Sequence, residues 1–225
     1  LNTISDFCIK INAEQLDSIK TKELFDILNI YSNDYCCISA LANLLFVSNQ
    51  LSNKKTNLRK LINKNILSTD RDKIYDSFKT LIFLHDKLAD KAGIQELIAE
   101  VIYQLKYKID KNSSYLIIGL CELIKNNAIK INDLKQLKEL TLKINSTIKD
   151  ADISDEFKAD ILYNVYRLIG IISVNNTEVL FTDVITTWKN KSTDMKIDND
   201  IRQGFQKGIN EALAYKELHM NHCTK

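Results

Sequence analysis

The chain has 225 residues, of which 45% are hydrophobic and 27% charged, enough apolar surface to offset chain entropy, so the composition excludes general disorder. Its 31 basic and 29 acidic residues leave a formal charge of +2, less basic than a dedicated nucleic-acid binder. No apolar run approaches the ~18–20 residues of a membrane span.

Proline is absent and glycine occurs five times, which permits long uninterrupted helices. The abundance of Lys, Asn and Ile also fits an AT-rich genome, a second reason for the missing proline. Five cysteines, Cys8, Cys36, Cys37, Cys121 and Cys223, form an odd and sparse set. A secreted disulfide framework would be even and denser, so these read as reduced thiols in an intracellular compartment, cytoplasm or mitochondrial matrix. The chain starts at Leu1, as a mature or truncated product would.

Along the chain the signal is helical periodicity that recurs. One or two N-terminal helices are predicted before residue 33, with Leu16, Ile19, Leu24, Ile27 and Leu28 apolar. The quartet Ile38, Leu41, Leu44 and Leu45 then marks one helix face. It returns as Tyr75, Phe78, Leu81 and Ile82, as Ile117, Leu120, Leu123 and Ile124, and as Leu162, Val165, Leu168 and Ile169. The first residues of successive copies lie 37, 42 and 45 positions apart. Each copy precedes a polar break and a second amphipathic stretch. The breaks are Asn53–Thr56, Asp90–Gly93, Asn126–Asn127 and Asn175–Thr177. Asn33, Thr69, Ser154 and Asn199 stand where N-caps belong, and Asp155 and Glu156 fall in a first turn. A final polar helix from about Ile201 to Leu218 suits a terminal cap.

The expected fold is therefore all-α, an α-α superhelix of about four antiparallel helix pairs over residues 33–195. End helices would flank it in 1–32 and 196–225, within a single domain 1–225. A non-repeating helical bundle is the alternative. The first unit, Ile38–Leu45 followed by Leu58–Ile62, resembles a heptatricopeptide helix pair, and the pair length resembles HEAT and armadillo repeats. The tetratricopeptide pattern fits worse, because its small, Gly and Pro positions are missing and the steps are too long. Heptatricopeptide resemblance implies an organellar RNA-handling or mitoribosome-associated role, often with a RAP domain, and no RAP-like segment is visible.

Chemistry-bearing residues are few. His219, His222 and Cys223 fall within five residues of one another, yet a structural zinc site needs about four ligands, and a frayed tail explains them. Cys36 and Cys37 are adjacent and point to different helix sides. His85 would need Cys121 or a serine beside it to form a nucleophilic site; a partly exposed helix histidine is the plainer reading. Asp70 with Asp72, and Asp150, Asp152, Asp155 with Glu156, are explained by helix starts. Gly204 and Gly208 make a GxxxG spacing in a polar helix, which excludes a membrane dimer motif. The N-glycosylation triplets at Asn112, Asn145, Asn175 and Asn190 are expected by chance in an Asn-rich chain. No catalytic residue, cofactor, metal ligand or small-molecule substrate is expected.

One cluster points to phosphate. Lys54, Lys55, Arg59, Lys60 and Lys64 lie between Ser52 and Lys64 with no acid among them. Five lysines from Lys125 to Lys143 face only Asp133 and Glu139. Together they would form an RNA-contacting stripe; alternatively they are a solvated lysine face. The leading expectation is a scaffold or adaptor binding another protein within a larger assembly, with an organellar RNA-binding repeat protein as the alternative.

Overall fold

The computed structural model describes residues 23–24, 26–28, 30, 37–88, 91–126, 128, 131–176, 178–197 and 199–222. Among these there is no strand, so the fold is all-α as the periodicity predicts. The helices are α1 (Ile38–Val47), α2 (Leu51–Ile66), α3 (Arg71–Leu88), α4 (Lys91–Tyr107), α5 (Ser113–Lys125), α6 (Ile131–Thr147), α7 (Asp155–Asn176), α8 (Glu178–Thr193) and α9 (Asn199–His222). A 3-10 turn, Ile148–Asp150, lies between α6 and α7. None of these helices is long and apolar enough to cross a membrane. Asn33, Cys8, Cys36, Cys223, Leu16 and Ile19 lie outside the described residues, as do the side chains of His219 and His222.

Contacts divide the chain into two compact units, Leu1–Leu97 and Ile98–Lys225. In the first, α1, α2 and α3 pack against one another. The first quartet is wholly buried, and Leu58 and Ile62 of α2 join it in the core. Each such side chain contributes about 1.5–3 kcal/mol of transfer free energy. The second quartet is right at Phe78 and Leu81, which are buried, but not at Tyr75, and Ile82 is only half-buried. Ile74, Phe78, Leu81 and Leu84 are buried, whereas Tyr75 points into solvent. An i, i+4, i+7 spacing serves a core face as well as i, i+3, i+6, and tyrosine, with a polar tip, is the residue that yields the core position.

Helix boundaries also shift. Asn53–Thr56 is not a break but part of α2, since Asn, Lys and Thr tolerate a helix. The break sits at Ser48–Gln50, where Asn49 adopts a left-handed φ of 57°. There the Gln50 N–H donates to the Leu45 carbonyl at 2.8 Å, closing α1. Asp70, rather than Thr69, caps α3: its Oδ1 accepts from the Asp72 N–H at 2.9 Å. Asn199 is the first residue of α9 rather than a cap before it. Ser154 caps α7 as expected, accepting from the Phe157 N–H at 3.5 Å and, through its carbonyl, from Lys158 at 3.0 Å. The N-terminus of α1 borrows its cap from another helix: Asp76 of α3 accepts from the Ile38 N–H at 2.7 Å and the Ser39 N–H at 3.3 Å, and the Ser39 hydroxyl donates to its other oxygen.

In the second unit α7 is the central helix, touching α5, α6, α8 and α9. The third quartet is fully buried on α5, and Leu162, Val165 and Leu168 are buried on α7. Glycines set the α7–α9 crossing. A Cβ on Gly208 would sit 3.1 Å from the Tyr166 carbonyl oxygen, and one on Gly170 would sit 3.0 Å from the Gly208 carbonyl oxygen. The GxxxG spacing of Gly204 and Gly208 is thus a packing seam inside the chain. Beside it Tyr166 stacks on Phe205 at 4.0 Å between centroids, and Trp188 of α8 closes the cluster.

Candidate functional site

The cations predicted to meet phosphate all lie on α2, a 16-residue helix without an acid. Lys54, Lys55, Lys60 and Lys64 are exposed and Arg59 is half-buried. At ~100° per residue they do not form one stripe. Lys60 and Lys64 are one turn apart on the face opposite Leu58 and Ile62. Lys54 and Arg59 instead flank the buried face on its two sides. The second lysine series is dispersed as well. Lys125 is ion-paired to Glu122 at 3.7 Å and also bonded to Glu211; Lys143 lies over a tyrosine ring; Lys135 and Lys138 are exposed. Lys130 lies outside the described residues. The two series belong to different compact units.

An unforeseen charge cluster joins α5, α7 and α9. The Arg167 guanidinium donates to Glu122 at 3.3 Å and to Glu211 at 3.2 Å, and Lys125 donates to the same Glu211. Burial alone would raise the Glu211 pKa; the Lys125 hydrogen bond and the two cations outweigh it and hold the carboxyl below its usual range. Two acids and two bases engage one another and each carboxylate is committed to a cation, while the buried Arg167 Nε has no hydrogen-bond partner among the described residues. Next to them Cys121 is fully buried, and burial pushes its thiol up to about 12. It is a packed thiol rather than a nucleophile, because the thiolate is the reactive form. His85, half-buried in the last turn of α3, has its Nδ1 3.4 Å from the Asp86 carboxylate. Cys121, the cysteine that the sequence offers it as a partner, belongs to the other unit.

A different surface presents large side chains to solvent. Tyr103 and Tyr107, one turn apart at the end of α4, are 56% and 72% exposed. Their rings meet at 4.6 Å between centroids with a 45° tilt. From α6, the Lys143 ammonium lies 5.5 Å from the Tyr107 ring centre, and Leu142 before it is exposed. Lys106, Lys108 and Lys111, within four residues of Tyr107 along the chain, are exposed. The one nearby carboxylate in that segment, Asp110, is 3.4 Å from the Lys108 ammonium. Sequence reading passes over these tyrosines because aromatics at helical spacing normally read as core. Their signal is phase: they lie off the buried stripe formed by Ile94, Ile98, Val101, Ile102 and Leu105.

No family model, curated protein or solved structure matches the chain.

Proposed function

We propose that this chain is a non-enzymatic helical scaffold or adaptor that binds another protein as a subunit of a larger assembly. The observation that carries this reading is the exposed Tyr103–Tyr107 pair, its rings in tilted contact, with Lys143 over Tyr107. Tyrosine supplies large contact area at low entropic cost and is enriched where interfaces concentrate their energy. The chemistry-bearing side chains of the second unit support the same reading, because Glu122, Arg167 and Glu211 engage one another and Cys121 is sealed. We also read the helices as a HEAT- or heptatricopeptide-like array of helix pairs. In its favour, α1 packs on α3, α5 on α7 and α7 on α9, so that successive first helices of each pair are neighbours within each unit.

The test is purification of the tagged full chain from its own cells, with cross-linking and mass spectrometry. Recovery as a stoichiometric part of a complex is expected, with cross-links at Lys106, Lys108 or Lys143. A chain that runs as a monomer with nothing cross-linked to it would defeat the reading.

A second reading, RNA binding, rests on α2, which carries five cations and no acid. Replacing Lys54, Lys55, Arg59, Lys60 and Lys64 with Ser would then weaken RNA binding and flatten its salt dependence. Unchanged binding, or none by the parent chain, defeats it.

A further inference from the structure

We infer that the Tyr103–Tyr107–Lys143 surface docks an acidic segment of a partner protein; the inference rests on the adaptor reading above and adds the partner's chemistry. The argument begins with charge. Lys143 places its ammonium over the Tyr107 ring, and three more lysines, Lys106, Lys108 and Lys111, are exposed within four residues of Tyr107 along the chain. Of the acids along the same stretches of chain, Asp110 is half-buried and faces Lys108, Glu100 is half-buried and accepts from Gln104, and Glu139, one turn before Lys143, is exposed, so cations remain in excess. A complementary surface therefore carries carboxylates. The rings add a second requirement. An exposed aromatic pair gains most by covering its apolar area, and the tyrosine hydroxyls can donate to carboxylate oxygens at the edge of that contact. The matching segment alternates acids with an apolar or aromatic side chain.

Preorganisation favours the same face. Each ring is held by the other at 4.6 Å, and Lys143 restrains Tyr107 further. Little rotamer entropy remains to be lost on docking. The geometry leaves no room for a nucleobase between the two rings. A base inserted between two rings needs about 3.4 Å on each side, the stacking rise along a strand. The rings stand far closer than that, already in contact with each other.

The experiment uses the full chain and three fluorescein-labelled probes: a short peptide of Glu, Asp and Phe; its counterpart with Gln and Asn in place of the acids; and an oligouridylate of equal length. Fluorescence anisotropy should show binding of the acidic peptide and at least tenfold weaker binding of its neutral counterpart. Tyr107→Ser with Lys143→Ala should weaken the acidic peptide about tenfold, equivalent to about 1.4 kcal/mol. Tyr107→Phe should keep most of the affinity. Both sites are exposed, so circular dichroism should show an unchanged fold. Peptide binding that ignores these substitutions overturns the inference. So does tighter binding of the oligouridylate at the same residues. So does failure of the acidic peptide to bind at all. A native partner cross-linked to another face overturns this inference and leaves the adaptor reading standing, whereas a chain with no partner defeats both.

Discussion

Gly170 and Gly208 meet where α7 crosses α9, with the Gly208 carbonyl oxygen 3.0 Å from the position a Gly170 Cβ would occupy. Alanine in place of a helical glycine normally adds about 1 kcal/mol of stability. At this seam the sign should invert. Gly170→Ala also meets the Ala212 Cβ at 3.0 Å, and Gly208→Ala meets Trp188 at 3.1 Å and Tyr166 backbone at 3.1 Å. Either substitution should destabilise the second unit by about 1–3 kcal/mol in urea unfolding, the usual cost of overpacking. Gly204→Ala, whose nearest atoms stand at 3.3 Å, should be close to neutral. Adding Ala212→Gly to Gly170→Ala should recover part of the loss, because the two sites are in contact. Stabilisation by Gly170→Ala would show that the crossing yields.

Asp76 should matter to a helix it does not belong to. Helix α1 has neither an acid in its first turn nor a side-chain cap of its own. Asp76→Ala removes the acceptor for the Ile38 and Ser39 N–H groups and should cost about 1–3 kcal/mol, the cost of stranding buried donors. Asp76→Asn keeps one oxygen acceptor and should cost less. Hydrogen exchange at the Ile38 and Ser39 amides should accelerate in Asp76→Ala before the rest of the unit responds. Parent-like exchange at both amides would contradict the tertiary cap.

Stability should fall on both sides of neutrality, for separate reasons. Cys121 ionises near 9 when unfolded and only at about 12 when folded. The unfolded chain therefore binds fewer protons between those values, and this contribution is intact below pH 9 and lost as pH rises towards 12. Tyr166, which burial pushes up to about 12, adds to the same limb above pH 10. Glu211 has the opposite sign. Its folded pKa is lowered, so its contribution is present above the ordinary carboxylate value of 4.5 and is lost as pH falls through the folded value. Unfolding free energy measured against pH should show a shallower alkaline limb in Cys121→Ala and a shallower acid limb in Glu211→Gln. Iodoacetamide at pH 8 should leave Cys121 unmodified until the chain unfolds. Rapid native labelling of the Cys121 peptide would refute its burial.

Much of the secondary structure is legible in the sequence because apolar spacing at 3.6 residues is a local property. The first and third quartets lie in the core as written, and Lys106 closes α4. Phase is harder, since two apolar neighbours such as Ile74 and Tyr75 offer two registers, and only packing chooses between them. Polar breaks mislead for a similar reason: Asn53 and Lys54 suit an exposed helix face as well as a loop. The candidate surfaces are less legible still. The Arg167–Glu211 pair spans 44 positions and the Lys125–Glu211 pair 86, distances over which periodicity carries no information. Gly204 and Gly208 are visible as a spacing, but their partner Gly170 becomes apparent only once α7 and α9 cross.

The borrowed cap on α1 also has a consequence for synthesis. Ile38 leaves the ribosome 38 residues ahead of Asp76. At roughly 5–20 residues per second, that interval lasts on the order of several seconds. A 10-residue helix is too short to persist alone over that time. The N-terminal end of α1 therefore waits on the first turns of α3, and these two helices settle together rather than in the order they are made.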